Sequence, residues 1–263
     1  MRVEVELTPK PGLVDQTNSG AHSDMDIHTF YTSIDAIKPF LTLFLETAYL
    51  YGKESPVTTF SRMREIGIAC EKAMFQATNN VNTHKGMIFC LALVCGAIGR
   101  LKARNKNLTC NVLQTEIQAM CKGLIERDLS GQNPHSAGMR FFHETGSTGI
   151  RGVAQSGFAD VFEKSLPFFL ERLQHADETV ALQQTLLYLM SFVEDSTLWS
   201  RGGLEGLRSV QNEAIKNVHV VFSKEALNDF LTQWDQSLIE KNLSPGGSAD
   251  LLALTWLLSK ITQ

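Results

Sequence analysis

The segment 87–95, Met-Ile-Phe-Cys-Leu-Ala-Leu-Val-Cys, would be apolar on every side of a helix, and it most restricts how the chain can fold. A helix without a polar face is stable only when other helices surround it. Amphipathic stripes with helical spacing supply such partners in residues 29–50, 56–78, 109–128, 151–172, 176–194, 223–239 and 248–261. The pattern predicts an all-α chain that forms one globular domain over residues 1–263. We expect about nine or ten helices, with the apolar one in the centre near 86–100.

Alternation of apolar and charged residues with a period of two occurs once, at Val3, Val5 and Leu7. The pattern is typical of a strand, but one short strand cannot form a sheet. The chain has no repeat of fixed period and no linker rich in proline or serine. These features favour one helical domain.

Charge and cysteine content exclude several classes of function. The 24 basic and 28 acidic residues give a net charge of −4, which does not suit binding to nucleic acid or an anionic membrane by bulk charge. The longest apolar run, 87–99, is too short to span a bilayer, and the N-terminus lacks a signal-peptide core. Five cysteines without a CxxC pair predict reduced thiols in a cytoplasmic enzyme.

Three loops place a cation beside glycine where a helix is expected to begin: His84-Lys85-Gly86, Arg151-Gly152 and Arg201-Gly202-Gly203. A helix N-terminus carries about half a positive charge, so a cation there is unfavourable by roughly 0.3–1 kcal/mol. A bound anion reverses that sign, and glycine lets the anion approach free backbone N–H groups. Each loop alone is better explained by an exposed cation, but the three together predict a polyphosphate site. The chain has no GxxxxGK[ST] phosphate loop.

Two further segments have structural explanations. In residues 244–250, Ser-Pro-Gly-Gly-Ser-Ala-Asp, Ser248 suits a helix N-cap with Asp250 in the first turn. The basic residues within 100–106 fall at the end of the central helix, where they complement its dipole. His135 has no matching acid nearby, and we expect it to be structural or at the surface.

The N-terminal loop contains side chains that can bind a metal ion. Histidine and aspartate alternate in His22-Ser-Asp24-Met-Asp26-Ile-His28. Carboxylates beside a triphosphate suit Mg²⁺ better than Zn²⁺, so Asp24 is a candidate Mg²⁺ ligand. The alternative is that Asp26 or His28 starts the helix that follows.

Asp195 follows an apolar helix that we expect to end near Val193. An acid at a helix C-terminus opposes the helix dipole. This misfit suggests that Asp195 is a base, a partner of Arg201 or a metal ligand. An exposed acid without such a task is the alternative.

Six loop motifs occur in a fixed order: 8–15 (TPKPGLVD), 18–25 (NSGAHSDM), 81–86 (VNTHKG), 148–152 (TGIRG), 200–203 (SRGG) and 242–250 (NLSPGGSAD). Together they resemble the motifs of the triphosphoribosyl-dephospho-CoA synthase family, over residues 8–261. The resemblance implies that ATP and 3′-dephospho-CoA give 2′-(5″-triphosphoribosyl)-3′-dephospho-CoA and adenine. The chain would then be a pentosyltransferase. The acceptor hydroxyl would attack ribose C1′ of ATP, and the triphosphate would serve only to anchor the substrate.

The resemblance also implies a place in metabolism and a stereochemical course. The product is the precursor of the prosthetic group of citrate lyase or malonate decarboxylase, and overall resemblance favours citrate lyase. The implied downstream partners are a separate transferase and an acyl carrier subunit. Because the product is α-linked and ATP is β-linked, one direct displacement with inversion is implied.

Roles for individual residues follow from the same resemblance. Asp24 is the expected base, with Asp195 as the second candidate, and His22 or His84 would donate to adenine or orient a carboxylate. The residues expected to bind phosphate, together with Mg²⁺, are His84, Lys85, Gly86, Arg151, Gly152, Arg201, Gly202 and Gly203. The residues expected in the substrate loops are Lys10, Asp15, Asn18, Asn82, Ser244, Gly246, Gly247, Ser248 and Asp250.

The chain departs from the family at two points. Family members usually carry a further helix before the first motif, which only seven residues precede here. Without that helix an apolar groove would be open to a second copy, so a homodimer is a further expectation. The family commonly has asparagine two residues after the acid, whereas this chain has Asp195-Ser-Thr197. Two other classes stay open: a Mg²⁺-dependent all-α hydrolase of ADP-ribose-like substrates, and a non-catalytic nucleotide-binding helical module.

Overall fold

The computed structural model describes residues 1–129 and 137–262, and every regular element within those ranges is helical. The α-helices are Arg2–Glu6 (α1), Ile27–Leu50 (α2), Pro56–Ala77 (α3), Lys85–Ala103 (α4), Cys110–Met120 (α5), Leu124–Leu129 (α6), Ala137–Thr145 (α7), Gly149–Gln155 (α8), Leu166–Arg172 (α9), Glu178–Met190 (α10), Ser196–Asn217 (α11), Lys224–Glu240 (α12) and Gly246–Ile261 (α13). A π-helical turn, Asp160–Ser165, lies between α8 and α9. The all-α prediction is confirmed, and His135 lies outside the described residues.

The helices in the described ranges exceed the expected nine or ten because backbone breaks divide two of the amphipathic stripes. The stripe 109–128 is divided into α5 and α6 close to Gly123, which has a φ of +72°. The stripe 151–172 is interrupted at Gly157 and Phe158, with φ values of +73° and +56°. A left-handed residue ends an α-helix, so one continuous apolar stripe can contain two helices.

The strand-like alternation near the N-terminus forms a helix, α1. Val5 and Leu7 are buried as the alternation predicts, but Glu4 is buried as well, because its carboxylate pairs with Lys10 Nζ at 2.6 Å. The described ranges contain no strand that could pair with this segment. Local helical hydrogen bonds therefore satisfy its backbone.

The central helix is α4, as predicted, and it packs against α2, α3, α5 and α13. The close approach to α2 requires glycine at Gly99, where an added Cβ would lie 2.4 Å from the carbonyl oxygen of Leu45. The whole of α4 is long and apolar enough to cross a membrane. The uninterrupted apolar run 87–99 within it is shorter than a bilayer span. However, 67% of its most apolar stretch is buried inside the protein, as expected of a core helix.

The basic residues at the end of α4 do more than complement its dipole. Arg100 is only 2% exposed, and its Nε donates to Glu116 Oε1 on α5 at 2.5 Å. Arg104 pairs with the other oxygen of Glu116 at 2.6 Å. Removing one partner of such a buried pair leaves an uncompensated charge and costs roughly 3–5 kcal/mol. This ion pair holds the C-terminal end of α4 against α5.

One continuous apolar core draws residues from α2, α3, α4, α5, α10, α11, α12 and α13. This continuity agrees with a single domain. The first turns of α4, α11 and α13 lie at the same end of the molecule, together with the N-terminal loop.

Candidate active site

A polar cavity of about 130 Å³ lies where the N-terminal loop meets the first turns of α4 and α13. Loops that are far apart in the sequence supply its walls. The predicted residues that line it are Lys10, His22, Asn82, His84, Lys85, Gly86, Ser244, Gly246 and Asp250. The fold therefore brings together four of the six sequence motifs. We call this space the polar cavity.

A second space of about 430 Å³, which we call the apolar cleft, lies between α3 and α4. Its apolar walls are formed by Phe60, Met63, Ile68, Ile88 and Phe89. Lys85 and Gly86 line both this cleft and the polar cavity. The first turn of α4 thus lies at the junction of the two spaces.

Arg151 lies in the first turn of α8, as expected, but it lines the apolar cleft and not the polar cavity. Its Nε is 3.4 Å from Oδ2 of Asp128, and Arg64 approaches the same carboxylate at 2.6 Å. Gly152 is required locally, since an added Cβ would lie 1.8 Å from Thr148 Oγ1. Phosphate binding by Arg151 and Gly152 stays a prediction.

α11 begins at Ser196, but left-handed Gly203 interrupts it, so a second helical segment begins directly after Arg201 and Gly202, where a helix start was expected. The guanidinium of Arg201 joins several loops. Its Nη1 donates to the carbonyl of Ala21 and to Asn242 Oδ1, each at 2.6 Å, and its Nη2 donates to His22 Nδ1 at 3.0 Å. Arg201 therefore fastens the N-terminal loop to the loop before α13.

The two glycines after Arg201 differ in role. Gly202 permits close packing, since an added Cβ would lie 2.5 Å from Leu243 Cδ2. Gly203 adopts a φ of +61° and interrupts α11. Gly203 also lines a third space, of about 500 Å³, with Arg140 and Trp199. The SRGG motif thus packs against the loop before α13 and lines the third space, and none of its residues lines the polar cavity.

His22 has hydrogen-bond partners on both ring nitrogens. Its Nε2 is 2.9 Å from Ser244 Oγ, and its Nδ1 accepts the hydrogen bond from Arg201. Burial and the charge of Arg201 lower the pKa of His22. Asp24 approaches His22 Nδ1 only at 3.7 Å, and its side chain is 59% exposed.

Asp26 is the N-cap of α2, which agrees with the structural alternative for this residue. Its Oδ1 accepts a hydrogen bond from the backbone N–H of Thr29 at 2.8 Å and another from Thr29 Oγ1. In residues 1–129 and 137–262, no group of three or more His, Cys, Asp or Glu side chains could hold a metal ion. Asp24 is therefore an exposed carboxylate of this loop that, unlike Asp26, caps no helix.

Asp195 is an N-cap, so its interpretation as an acid that opposes a helix C-terminus is wrong. The preceding helix ends at Met190, and Asp195 lies before α11. Its Oδ1 accepts from the N–H groups of Thr197 and Leu198 at 2.9 and 3.2 Å, and its Oδ2 accepts from the N–H of Ser248 at 2.9 Å. Burial nevertheless raises the pKa of Asp195, against these hydrogen bonds. One carboxylate therefore caps both α11 and α13.

Ser248 is not the N-cap of α13, because this helix already begins at Gly246. The Ser248 hydroxyl donates to Asp195 Oδ2 at 3.3 Å. Gly247 lets that carboxylate approach, since an added Cβ would lie 3.1 Å from both of its oxygens. Residues 246–248 thus form a cradle for Asp195.

The N-terminal loop is held by its own polar residues. Lys10 Nζ donates to the carbonyl and the carboxylate of Glu4 at 2.7 and 2.6 Å. Asp15 accepts from the backbone N–H of Lys10 and of Thr17. Asn18 Nδ2 donates to Asp235 Oδ2 at 2.8 Å. Lys10 borders the polar cavity, whereas Asp15 and Asn18 shape the loop that closes it.

Sequence reasoning missed Asp235, a buried acid on α12. Its Oδ1 accepts from the N–H of Gly12 at 2.8 Å, so it joins α12 to the N-terminal loop. Burial raises the pKa of Asp235, while the hydrogen bond from Asn18 opposes the shift. The available signal was its place beside Trp234, within the apolar stripe of α12.

His84 is the N-cap of α4 and is only 3% exposed. Its Nδ1 is 2.7 Å from Ser33 Oγ, which accepts a hydrogen bond from Thr83 Oγ1. Its Nε2 is buried and has no hydrogen-bond partner within the described chain. Burial, with smaller effects from the Met1 amino group and Lys10, lowers the pKa of His84 to about 3. The imidazole is therefore neutral at physiological pH.

The first turn of α4 supplies one cation, Lys85, and a glycine without a side chain, Gly86. Asn82 Oδ1 accepts the hydrogen bond of the Lys85 N–H at 3.2 Å. Lys85 Nζ pairs with Glu71 at 3.0 Å, on a side chain that is 51% exposed. Gly86 must be glycine, because an added Cβ would lie 1.9 Å from Asp250 Oδ2. Asp250 of α13 thus reaches the first turn of α4, a contact that its place in a helix start did not predict.

The fold and the cavity define an all-α protein with a cation-lined site at the start of its central helix. The family model for ATP:dephospho-CoA triphosphoribosyl transferases matches residues 1–263. The chain belongs to this family. The full-length match confirms the resemblance that the six motifs indicated.

Individual relatives agree with this assignment. A probable 2-(5″-triphosphoribosyl)-3′-dephosphocoenzyme-A synthase of Albidiferax ferrireducens is 46% identical, over 99% of this chain and 87% of its own length. A protein of the same name from Vibrio cholerae is 45% identical, over 100% of this chain and 86% of its own length. A crystal structure of a proposed triphosphoribosyl-dephospho-CoA synthase from Archaeoglobus fulgidus has a TM-score of 0.50 and 14% identity, covering 90% of this chain and 99% of the other. This last likeness concerns the fold alone.

Proposed function

We propose that this protein transfers the 5-triphosphoribosyl group of ATP to the 2′-hydroxyl of 3′-dephospho-CoA and releases adenine. The observation that carries the proposal is that motifs distant in the sequence meet around the first turn of α4, in a chain that matches the transferase family over its whole length. The two spaces that share Lys85 and Gly86 suit a reaction that brings two nucleotides together.

The first turn of α4 is the proposed anchor for the triphosphate. Lys85 is half exposed at the junction of the two spaces, and the free N–H groups of a helix start favour an anion. The space left by the missing Cβ of Gly86 is filled by the Asp250 carboxylate, so the proposed phosphate contact of Gly86 would use its backbone N–H. Arg151 faces the same junction from the cleft. These groups would hold the triphosphate while its phosphate bonds stay intact. Attack at C1′ requires this, because the bond that breaks is the one to adenine.

Arg201 has a different proposed part. Its guanidinium is already bonded to Ala21, Asn242 and His22. We infer that it places the loop that carries His22 and Asp24, and that it reaches phosphate only by exchanging these partners. His22, with both nitrogens engaged, positions neighbouring groups.

The proposed reaction is a single displacement at C1′. The acceptor oxygen approaches C1′ from the face opposite adenine, so the configuration inverts and no covalent enzyme intermediate forms. A base must take the proton of the acceptor hydroxyl, and a donor must stabilise the departing adenine. If the Ser33 hydroxyl donates to His84 Nδ1, the single proton of the neutral ring lies on the buried Nε2. This N–H is then the donor that stabilises the departing adenine.

Magnesium, partners and assembly complete the proposal. Mg²⁺ would arrive with ATP, because it is commonly held by one or two carboxylates together with substrate phosphates, and Asp24 is the carboxylate available to it. The product would pass to a transferase that loads an acyl carrier subunit, with citrate lyase as the proposed client. We further propose a homodimer and a cytoplasmic location.

The test measures products with the purified protein, ATP, Mg²⁺ and 3′-dephospho-CoA. We expect free adenine by liquid chromatography and, by mass spectrometry, an acceptor heavier by one triphosphoribosyl group. Reactions that lack the acceptor provide the control.

Three outcomes would contradict the proposal. Release of phosphate or pyrophosphate without adenine would indicate attack at phosphorus. Adenine or ribose released without the acceptor would favour the hydrolase. Partner binding that needs no ATP and tolerates Lys85→Ala would favour the non-catalytic module.

A further inference from the structure

Two polar groups in the polar cavity lack protein partners. One is His84 Nε2, which is buried and makes no hydrogen bond within the described chain. The other is the carboxylate of half-buried Asp250, which lines the cavity and forms no hydrogen bond or ion pair within residues 1–129 and 137–262. Buried polar groups in folded proteins are nearly always paired. Unpaired groups that face one cavity therefore indicate a ligand.

Asp250 is the carboxylate that remains available in the cavity. Glu4 also lines it, but its Oε1 accepts from Lys10 at 2.6 Å. Asp24 and Asp195 are not among the lining residues. Asp195 already accepts hydrogen bonds on both oxygens. Neither of the two expected bases combines cavity access with free lone pairs.

The other titratable groups of the cavity are poor proton acceptors. Both ring nitrogens of His22 are engaged, by Ser244 and Arg201. Because the pKa of His84 is about 3, its neutral imidazole is a weak base that does not take up a second proton at neutral pH. Lys10 and Lys85 are each paired with an acid.

We propose that Asp250 is the catalytic base of the proposed transfer, acting directly on the acceptor hydroxyl. The O–H bond of that hydroxyl breaks, and its proton passes to an Asp250 oxygen. The freed electron pair forms the bond from oxygen to C1′, while the C1′–N9 bond breaks and its electron pair leaves with adenine. Adenine then takes up one proton, and Asp250 releases one to solvent, so the balance closes. This inference rests on the proposed function.

The surroundings of Asp250 strengthen this carboxylate as a proton acceptor. Burial raises its pKa, and the negative charges of Glu4 and Asp195 raise it further, while the Met1 amino group opposes them. Cys90 of α4 is the other titratable group that interacts with it. A carboxylate with a raised pKa binds a proton more tightly and is therefore a stronger base. Gly86 keeps the carboxylate at the junction where the triphosphate anchor is proposed.

The test compares Asp250→Asn with the wild type in the adenine-release assay. We expect kcat to fall by about 10²- to 10⁴-fold, with the Kd for ATP changed by less than about threefold. The wild-type kcat should fall as pH drops through the pKa of the base, and this acid limb should vanish in the variant. Asp35→Asn, at an exposed position of α2, is the matched control and should keep the wild-type rate.

Two further measurements separate the base from other roles. Asp250→Glu should recover part of the rate, because it restores a carboxylate, and it serves as the second variant if Asp250→Asn does not fold. Raising the Mg²⁺ concentration should not rescue Asp250→Asn. Rescue by Mg²⁺ would make Asp250 a metal ligand and overturn the proposal. A wild-type rate or an unchanged acid limb in Asp250→Asn would also overturn it. Failure of the wild type to release adenine would instead reject the proposed function.

Discussion

Asp195 and Asp250 lie close enough to influence each other's charge, yet their surroundings are opposite. The carboxylate of Asp195 accepts backbone hydrogen bonds on both oxygens and joins two helix starts. The carboxylate of Asp250 faces the polar cavity and has no hydrogen bond within the described chain. Burial raises the pKa of both groups. A raised pKa therefore does not by itself identify the acid that reacts.

Hydrogen bonds to both carboxylate oxygens identify Asp195 as a structural acid. Their absence at Asp250 identifies the acid that is free to react. A carboxylate that caps helices cannot take a proton without weakening its hydrogen bonds. An unpaired carboxylate costs stability in the folded protein, and such costs commonly mark functional sites. At the start of α11, Asp195 therefore stabilises the fold. At the junction of α4 and α13, Asp250 stays available to react.

The largest effect that would sharpen this comparison is expected from Gly86→Ala. The new Cβ would lie 1.9 Å from Asp250 Oδ2, so the carboxylate must move. A displacement of about 1 Å near reacting atoms can reduce the rate by about 100-fold. We expect kcat for adenine release to fall by about that factor. Asp35→Asn, at an exposed position of α2, is the control, and equal rates in both variants would contradict the contact with Asp250.

A loss of stability is expected from Asp195→Asn. The amide nitrogen cannot accept a hydrogen bond, so one helix start loses its cap at a cost of roughly 2–3 kcal/mol. For a chain of this size that lowers Tm by roughly 4–10 °C. Thermal unfolding of Asp177→Asn, an exposed cap of α10, should show a smaller decrease. If Asp195→Asn kept its Tm and lost only kcat, the assignment of the two acids would be reversed.

A smaller effect, on ATP binding, is expected from Lys85→Ala. Lys85 is half exposed and already paired with Glu71, so its contribution to phosphate binding is partly screened. We expect the KM for ATP to rise about five- to tenfold, with kcat less affected. Lys216→Ala, on an exposed pair far along α11, should leave the KM unchanged. A larger loss in kcat than in KM would move Lys85 from anchoring to catalysis.

The smallest effect concerns stability against pH. Because the folded-state pKa of Asp250 is raised above the ordinary value of 3.8, its contribution to stability is present below that value and is lost as pH rises through the folded pKa. Asp250→Asn should therefore gain Tm relative to the wild type as pH rises from about 4 towards neutrality. Asp177 has a lowered pKa, chiefly through its hydrogen bond with Lys224, so its contribution to stability is already complete above about pH 4, and Asp177→Asn should show a constant Tm difference over the same range. Equal trends in the two variants would show that Asp250 is not destabilised by its charge.

Much of the fold could be predicted from the sequence because it depends on periodicity. The apolar segment 87–95 placed the central helix, and the amphipathic stripes located most of the others. The number of helices was underestimated, because a left-handed residue such as Phe158 leaves no mark in an apolar stripe. The strand-like pattern at α1 forms a helix because the described residues contain no strand that could pair with it, so local hydrogen bonds satisfy its backbone.

For the site, the sequence identified the loops but not which atoms face each other. The motifs that contain His22, His84 and Asp250 line one cavity in the structure. The position of Asp195 as a cap for two helices could not be predicted, because one of them begins more than fifty residues later. The same reason hid the contact between Gly86 and Asp250, which joins α4 to α13.

The double cap at Asp195 has a consequence for how the site works. Ser248, which that carboxylate holds, lies two positions before Asp250 on α13. The reacting acid is therefore oriented by a scaffold that is complete before either nucleotide arrives. Binding need not assemble this part of the machinery, so the energy of substrate contacts can be directed to aligning the sugar with its new oxygen partner.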